Sequence, residues 1–216
     1  MSDSDAKALP VTEDLHRVER LAWVSVWIDL GLGATALWSG VNSGVAAFWG
    51  FGAACLLLAP PAVSVYKRVR DGLGNRGLDR ERVSLRITSH LLRMLALVMA
   101  SASVIELNGN PVLHFAPESM GIPALALGCF GSLWLAKRRL ARGHPTLAFD
   151  ATRTRTGVEL ATLLFVGHLL GCWFCWADAI TGCAMALRLF MEGRTWAKGT
   201  ALPPACGGCG GGCGCG

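Results

Sequence analysis

Four cysteines close the chain in the run Cys206-Gly-Gly-Cys209-Gly-Gly-Gly-Cys213-Gly-Cys215-Gly216. Four thiols this closely spaced, separated only by glycine, can wrap around one soft metal because glycine restricts the backbone so little. A tetrathiolate zinc or copper(I) site is the chemistry this spacing suits. An iron–sulfur cluster suits it less well, since nothing near the tail would bury one. The competing reading is a Gly-rich terminus with incidental cysteines or a processing signal, as seven of the last eleven residues are Gly. Three further ionisable residues stand in apolar surroundings: Asp29, Glu159 and His168. Such groups are costly to keep within a membrane span and therefore mark candidate ion paths. Two of them also have a plain structural alternative, Asp29 as a buried acid bonded to neighbouring helices and His168 as a satisfied interior histidine.

The elements that would carry these residues are six apolar stretches, at 21–40, 44–66, 87–105, 119–136, 156–174 and 176–192. Each is about as long as the ~20 residues that a bilayer core requires. The first, third and fifth gaps between them contain no Lys or Arg, whereas the second carries Lys67, Arg68, Arg70, Arg76, Arg80, Arg82 and Arg86. The fourth carries Lys137, Arg138, Arg139, Arg142, Arg153 and Arg155. This alternation is the positive-inside pattern of a multi-pass integral membrane protein, with both termini cytoplasmic and the plasma (inner) membrane as the expected location.

Composition agrees with that class. The chain is 52% hydrophobic and has a mean hydropathy of +0.44. Its net charge of +5 comes from short loops beside spans and not from one basic face, which argues against a nucleic-acid partner. The segment 1–20 is polar and lacks the apolar core and cleavage site of a signal peptide. The expected organisation is a cytoplasmic segment 1–20, a six-span domain 21–196 and a Gly/Cys-rich cytoplasmic tail 197–216, set off by Pro203-Pro204. No separate soluble domain is expected. No nucleophile, base and orienting group can be assigned together, so an enzyme is not expected.

Along the helices, the short polar turn Ser39–Gly44 should fold the first two spans into an antiparallel hairpin. Small residues at Gly44, Gly50, Gly52, Ala53 and Ala54 would let neighbouring helices approach closely. Pro60 and Pro61 should kink the second span or end its regular part. His90 and Arg93 sit within the first two turns of the third, where a long basic side chain can snorkel to the interface. Cys172 and Cys175 form a C-x-x-C at the outer end of the last hairpin, with Cys183 two turns on. They suit either a disulfide on an oxidising face or interior packing. Cys55 and Cys129 read as packing residues.

The run His144-Pro145-Thr146-Leu147-Ala148-Phe149-Asp150, then an apolar helix, Trp176-Ala177-Asp178 and a last helix ending Glu192-Gly193-Arg194, resembles helices five and six of the cation diffusion facilitator transporters. Arg20, Gly40 and Ser43 agree more weakly with the front half. The resemblance implies an all-α, six-helix transmembrane bundle. It also implies metal ligands four apart on helices two and five, near positions 52 and 56 and at 153 and 157. This chain has Gly52, Leu56, Arg153 and Gly157 there. None of them can hold a metal, and Arg153 would repel one. The family's C-terminal cytoplasmic domain has no counterpart in this sequence.

A substitute path would use Asp29 and His168, since His168 lies about three turns beyond Gly157 on nearly the same face. Glu159 points away from that face by about 160°. The expected function is a divergent cation-efflux-like transporter for a heavy or divalent metal ion, with zinc or copper(I) held by the tail thiols. The alternative is a non-transporting membrane scaffold or regulatory subunit that anchors the tail. Metal cation and lipid bilayer are the expected partners, and a homo- or heterodimer stays open.

Overall fold

The computed structural model describes residues 11–70, 76–109, 120–140 and 145–198, which form six α-helices with no strand among the described residues. They are α1 (Val11–Ser43), α2 (Ala46–Arg70), α3 (Arg76–Asn108), α4 (Gly121–Leu140), α5 (Pro145–Leu170) and α6 (Ala177–Ala197). The all-helical class agrees with the sequence reading. Three of the helical segments, Arg17–Ser43, Ala46–Arg70 and Arg82–Asn108, are long and apolar enough to cross a membrane. The Cys206–Cys215 tail and the 110–119 connection lie outside the described residues.

Several boundaries differ from those read by hydropathy, and the differences share a cause. α2 does not end at Pro60-Pro61 but continues through both to Arg70. The prolines remove the N–H donors that would bond the carbonyls of residues 56 and 57, yet the flanking turns stay helical. α5 opens at Pro145, in the first-turn position where a missing N–H is harmless, and not at 156. Arg153 and Arg155, read as loop charges, therefore lie inside a helix. So does Arg86, inside α3. Hydropathy ends a span where charge begins, but a helix can continue past a charge, whether buried against acids as at Arg153 or exposed as at Arg86.

α2 sits at the centre, touching α1, α3, α5 and α6, while α1 packs on α2, α3 on α6 and α4 on α5. The α1–α2 hairpin is tight for two reasons. Gly44 adopts a φ of 73° in the turn, a left-handed conformation that glycine takes at little cost. In addition, a Cβ on Gly40 would overlap the backbone of Trp49, and one on Gly52 would overlap the backbone of Leu37 and the Gly33 carbonyl. The sequence expectation of close approach at small residues is met at Gly52, where the helices pack backbone to backbone.

The main core cluster includes Phe51, Leu58, Leu92, Met99, Phe130, Leu160, Leu164, Met185 and Leu189, and a second, smaller one joins Val18, Val65 and Val69. Phe51 meets Phe130 edge to face, with ring centres 6.4 Å apart. The outer surface is apolar as well: Trp27, Trp38, Met94, Ile105, Leu125, Ile180 and Leu187 are all exposed. That outward display suits hydrocarbon better than water.

The close approach at Gly52 gives a test. Gly52→Ala should force α1 and α2 apart and cost about 1–3 kcal/mol, which would lower the melting temperature in detergent by roughly 2–10 °C. Gly31→Ala is the control, because its Cβ would meet nothing within 4 Å. Equal melting temperatures for the two variants would contradict this account of the hairpin.

Candidate functional site

Asp29 does not stand alone in the interior. Its Oδ2 accepts a hydrogen bond from Arg153 Nη1 at 2.7 Å, and both side chains are only 2% exposed. The same Nη1 donates to the Leu58 carbonyl at 2.8 Å, while Arg153 Nε donates to Asp150 Oδ1 at 3.1 Å. Lys137 completes the cluster, with its Nζ 2.6 Å from Asp150 Oδ2 and donating to Thr154 Oγ1 at 3.0 Å. The Thr154 hydroxyl donates in turn to the Asp150 carbonyl. Two cations and two carboxylates, all buried, thus join α1, α2, α4 and α5.

Local sequence explains the arrangement. Asp150, Arg153 and Thr154 stand at i, i+3 and i+4, so one face of α5 carries the acid, the guanidinium and the hydroxyl together. The diproline of α2 thins the helical bonding beside residue 58, where a carbonyl is turned to Arg153. Removing one member of such a buried network leaves an uncompensated charge, whereas the complete network is electrically neutral.

A second network lies between α5 and α6. Glu159 accepts from Arg155 Nε at 2.8 Å and from Arg188 Nε. Arg188 Nη1 also donates to Glu192 at 2.6 Å, and Trp196 Nε1 donates to the other oxygen of Glu192 at 2.8 Å. Thr156 lies beside the Arg188 guanidinium. This cluster is again two cations and two carboxylates.

The sequence-derived candidates are therefore dispersed. Asp29 belongs to the first network and Glu159 to the second. His168 is buried at the far end of α5, edge-on to Phe48 with ring centres 5.4 Å apart. Fifteen residues of α5, about 22 Å of helix, separate His168 from Arg153, the partner of Asp29. The two do not share a site. Glu159 does point away from the Gly157 face, since Gly157 packs against Phe130 while Glu159 meets α6.

Of the four positions where the family resemblance implies ligands, Gly52 packs on the α1 backbone and Leu56 packs against Gly33. Gly157 receives Phe130, and Arg153 holds the two acids. Among the described residues, no three His, Cys, Asp or Glu side chains are grouped to hold a metal ion. Cys172, Cys175 and Cys183 are free thiols, and Cys55 is buried in the core, as its packing reading requires. Arg93 bends back to the Ser89 carbonyl, toward the start of α3, and also meets His90.

Lys137, Asp150 and Arg153 are the site residues that sequence reading missed. A usable signal existed: an acid such as Asp29 inside an apolar helix needs a cation of matching depth, and Arg153 follows Asp150 by one turn. Arg188, with Glu192 four residues later in the last helix, offered the same signal.

Space near the first network is small. A cavity of about 10 Å³ lined by Val18, Leu21, Lys137, Leu140 and Asp150 has room for roughly one water. A larger lateral groove of about 540 Å³ between α2 and α3, lined by Leu57, Pro60, Ile87 and Leu91 among others, has no ionisable side chain among the described residues that line it. No protein-family model matches this chain, and no curated protein is significantly similar to it.

The charge count of the first network predicts a mutational pattern. Arg153→Met leaves two carboxylates against one lysine and should cost about 3–5 kcal/mol. Adding Asp29→Asn restores neutrality, so the double variant should melt above the single one in detergent. Strictly additive losses would remove the coupling between Asp29 and Arg153.

Proposed function

We propose that this chain is a six-span membrane protein of cation-efflux-like architecture in which Arg153 permanently supplies the interior positive charge that a transporter would bind and release. The bundle then serves as a non-transporting anchor, and the tail thiols Cys206, Cys209, Cys213 and Cys215 collect a soft metal such as zinc or copper(I) on the cytoplasmic side. The observation that carries this reading is the position of the Arg153 guanidinium, held between Asp29 and Asp150 and capped by the Leu58 carbonyl. A free cation entering there would have to displace a tethered one, and the displaced guanidinium would need new partners in a low-dielectric interior.

The six-span topology draws support from packing. α6 lies along α3 and α5 along α4, and a largely apolar exterior surrounds one buried neutral ion network and a second that is partly exposed. The alternation of basic loops in the sequence then sets both termini inside and the 171–176 turn outside.

A second reading keeps transport. It is favoured by the small cavity at the Lys137–Asp150 pair, through which opening of α1 from α4 would admit water to the network. Asp29, and further along the path His168, would then titrate or bind during a cycle.

Liposomes holding the full-length protein should show no uptake of Zn²⁺, Cd²⁺ or Cu⁺ above protein-free liposomes. Purified protein should carry bound metal that disappears when the chain ends at Ala205. Ion flux in that assay would select the transport reading, and metal retained without the tail would overturn the tail's role. Reporter fusions in the 171–176 turn and at each terminus test the topology independently.

A further inference from the structure

The lateral groove between α2 and α3 has apolar walls, an open side and a basic end. Its volume of about 540 Å³ is lined by Leu57 and Pro60 of α2 and by Val83, Ile87 and Leu91 of α3, among others. Val83, Ile87 and Leu91 are 59%, 56% and 45% exposed, so the groove opens sideways, away from the bundle. That volume falls within the roughly 300–1,000 Å³ of small-ligand sites. A hydrocarbon chain suits such a surface better than water does.

Depth fixes which part of a lipid lies there. On the six-span reading, on which this inference rests, α2 runs from the outer side to the cytoplasmic side. Twenty-one residues separate Ala46 from Lys67, about 32 Å of helix, which matches a hydrocarbon layer about 30 Å thick. Leu57, about 16 Å from Ala46, is then at the middle of that layer. The α3 wall from Val83 to Leu91 covers about 12 Å, most of one leaflet. The groove is a slot in the inner leaflet.

The sequence places charge at its inner end. Leu57, Pro60, Ser64 and Lys67 follow one another at spacings of three, four and three, so they share one face of α2. Lys67 is exposed, at the level where the hydrocarbon ends. The stretch 67–86 carries seven basic residues against three acidic ones, which makes the potential there positive. The other basic stretch is differently committed. Lys137 and Arg153 turn inward to Asp150 and Asp29, and Arg138 lies over the Trp134 ring, 5.4 Å from its centre.

We infer that the α2–α3 groove is a binding site for an anionic phospholipid of the inner leaflet, with one acyl chain along Pro60, Ile87 and Leu91 and the phosphate at Lys67. Apolar contact with the walls holds the chain, which any phospholipid supplies, so selectivity comes from the headgroup. The Lys67 ammonium is a compact charge with three N–H donors for phosphate oxygens. The basic stretch beside it favours an anionic headgroup over a zwitterionic one. A lipid seated there bridges α2 and α3.

The test uses full-length protein reconstituted in liposomes of equal phosphatidylglycerol and phosphatidylcholine, released into mild detergent and weighed intact by native mass spectrometry. One phosphatidylglycerol per chain should be retained, in preference to phosphatidylcholine by about fivefold or more, the effect of one basic residue at an anionic surface. Ile87→Trp, at an exposed position with room for a larger ring, should narrow the groove and abolish retention. Lys67→Gln should leave the two lipids equally retained. Leu97→Trp, on the exposed face of α3 and outside the groove, should change neither, and none of the three should lower the melting temperature. Equal retention of both lipids by the unmodified protein, retention undiminished by Ile87→Trp, or a co-purified neutral lipid in place of phosphatidylglycerol would overturn the inference. Reporters in the 71–75 connection separate the two failures: a cytoplasmic connection without lipid selectivity defeats the groove site alone, and an outward one defeats the topology with it.

Discussion

A guanidinium with two carboxylate partners and one carbonyl partner organises this bundle. Arg153 draws on α1 through Asp29, on α2 through Leu58 and on its own helix through Asp150, which in turn reaches α4 through Lys137. Each of these groups would be expensive to bury alone, and each is made tolerable by the next. Apolar packing alone gives helices freedom to slide or rotate against one another, because one aliphatic contact substitutes for another. A fixed fork of donors does not allow that freedom, so the network sets the register of four helices while the Phe51–Phe130 core fills the space between them.

The bundle inverts the usual distribution of a soluble protein. Four of its ionised groups, Asp29, Lys137, Asp150 and Arg153, are buried inside, and large apolar side chains such as Trp27, Trp38, Met94 and Leu125 are exposed outside. The two networks resemble one another in composition but differ in burial. The first is closed on every side and holds helices together. The second is open along α5, where Arg155 is 63% exposed.

The helical class, the tight first hairpin and the approach of small residues at Gly52 were all legible in the sequence, since periodicity and glycine placement are local properties. The interior chemistry was less so. Asp29 and Glu159 stand out as isolated acids, but their partners do not, because Arg153 and Arg155 lie next to a basic loop in the sequence and Arg188 stands alone within the last helix. Charge near a span boundary is ambiguous in one dimension: the same arginine can face headgroups or turn inward, and only the partner decides. His168 was placed by helical spacing on the same face as Gly157, but nothing in that spacing measured how far along the helix it lay from Asp29.

The Asp29–Arg153 bond joins residues 124 positions apart. At synthesis rates of roughly 5–20 residues per second, Asp29 is made about 6–25 s before its counter-ion. During that interval three helices are made without a guanidinium to meet Asp29. The bundle thus cannot assemble by simple addition of finished helices. Its first helix carries an unmet requirement that the fifth satisfies, so a chain interrupted before α5 bears an acid without Arg153, which distinguishes it from the finished protein.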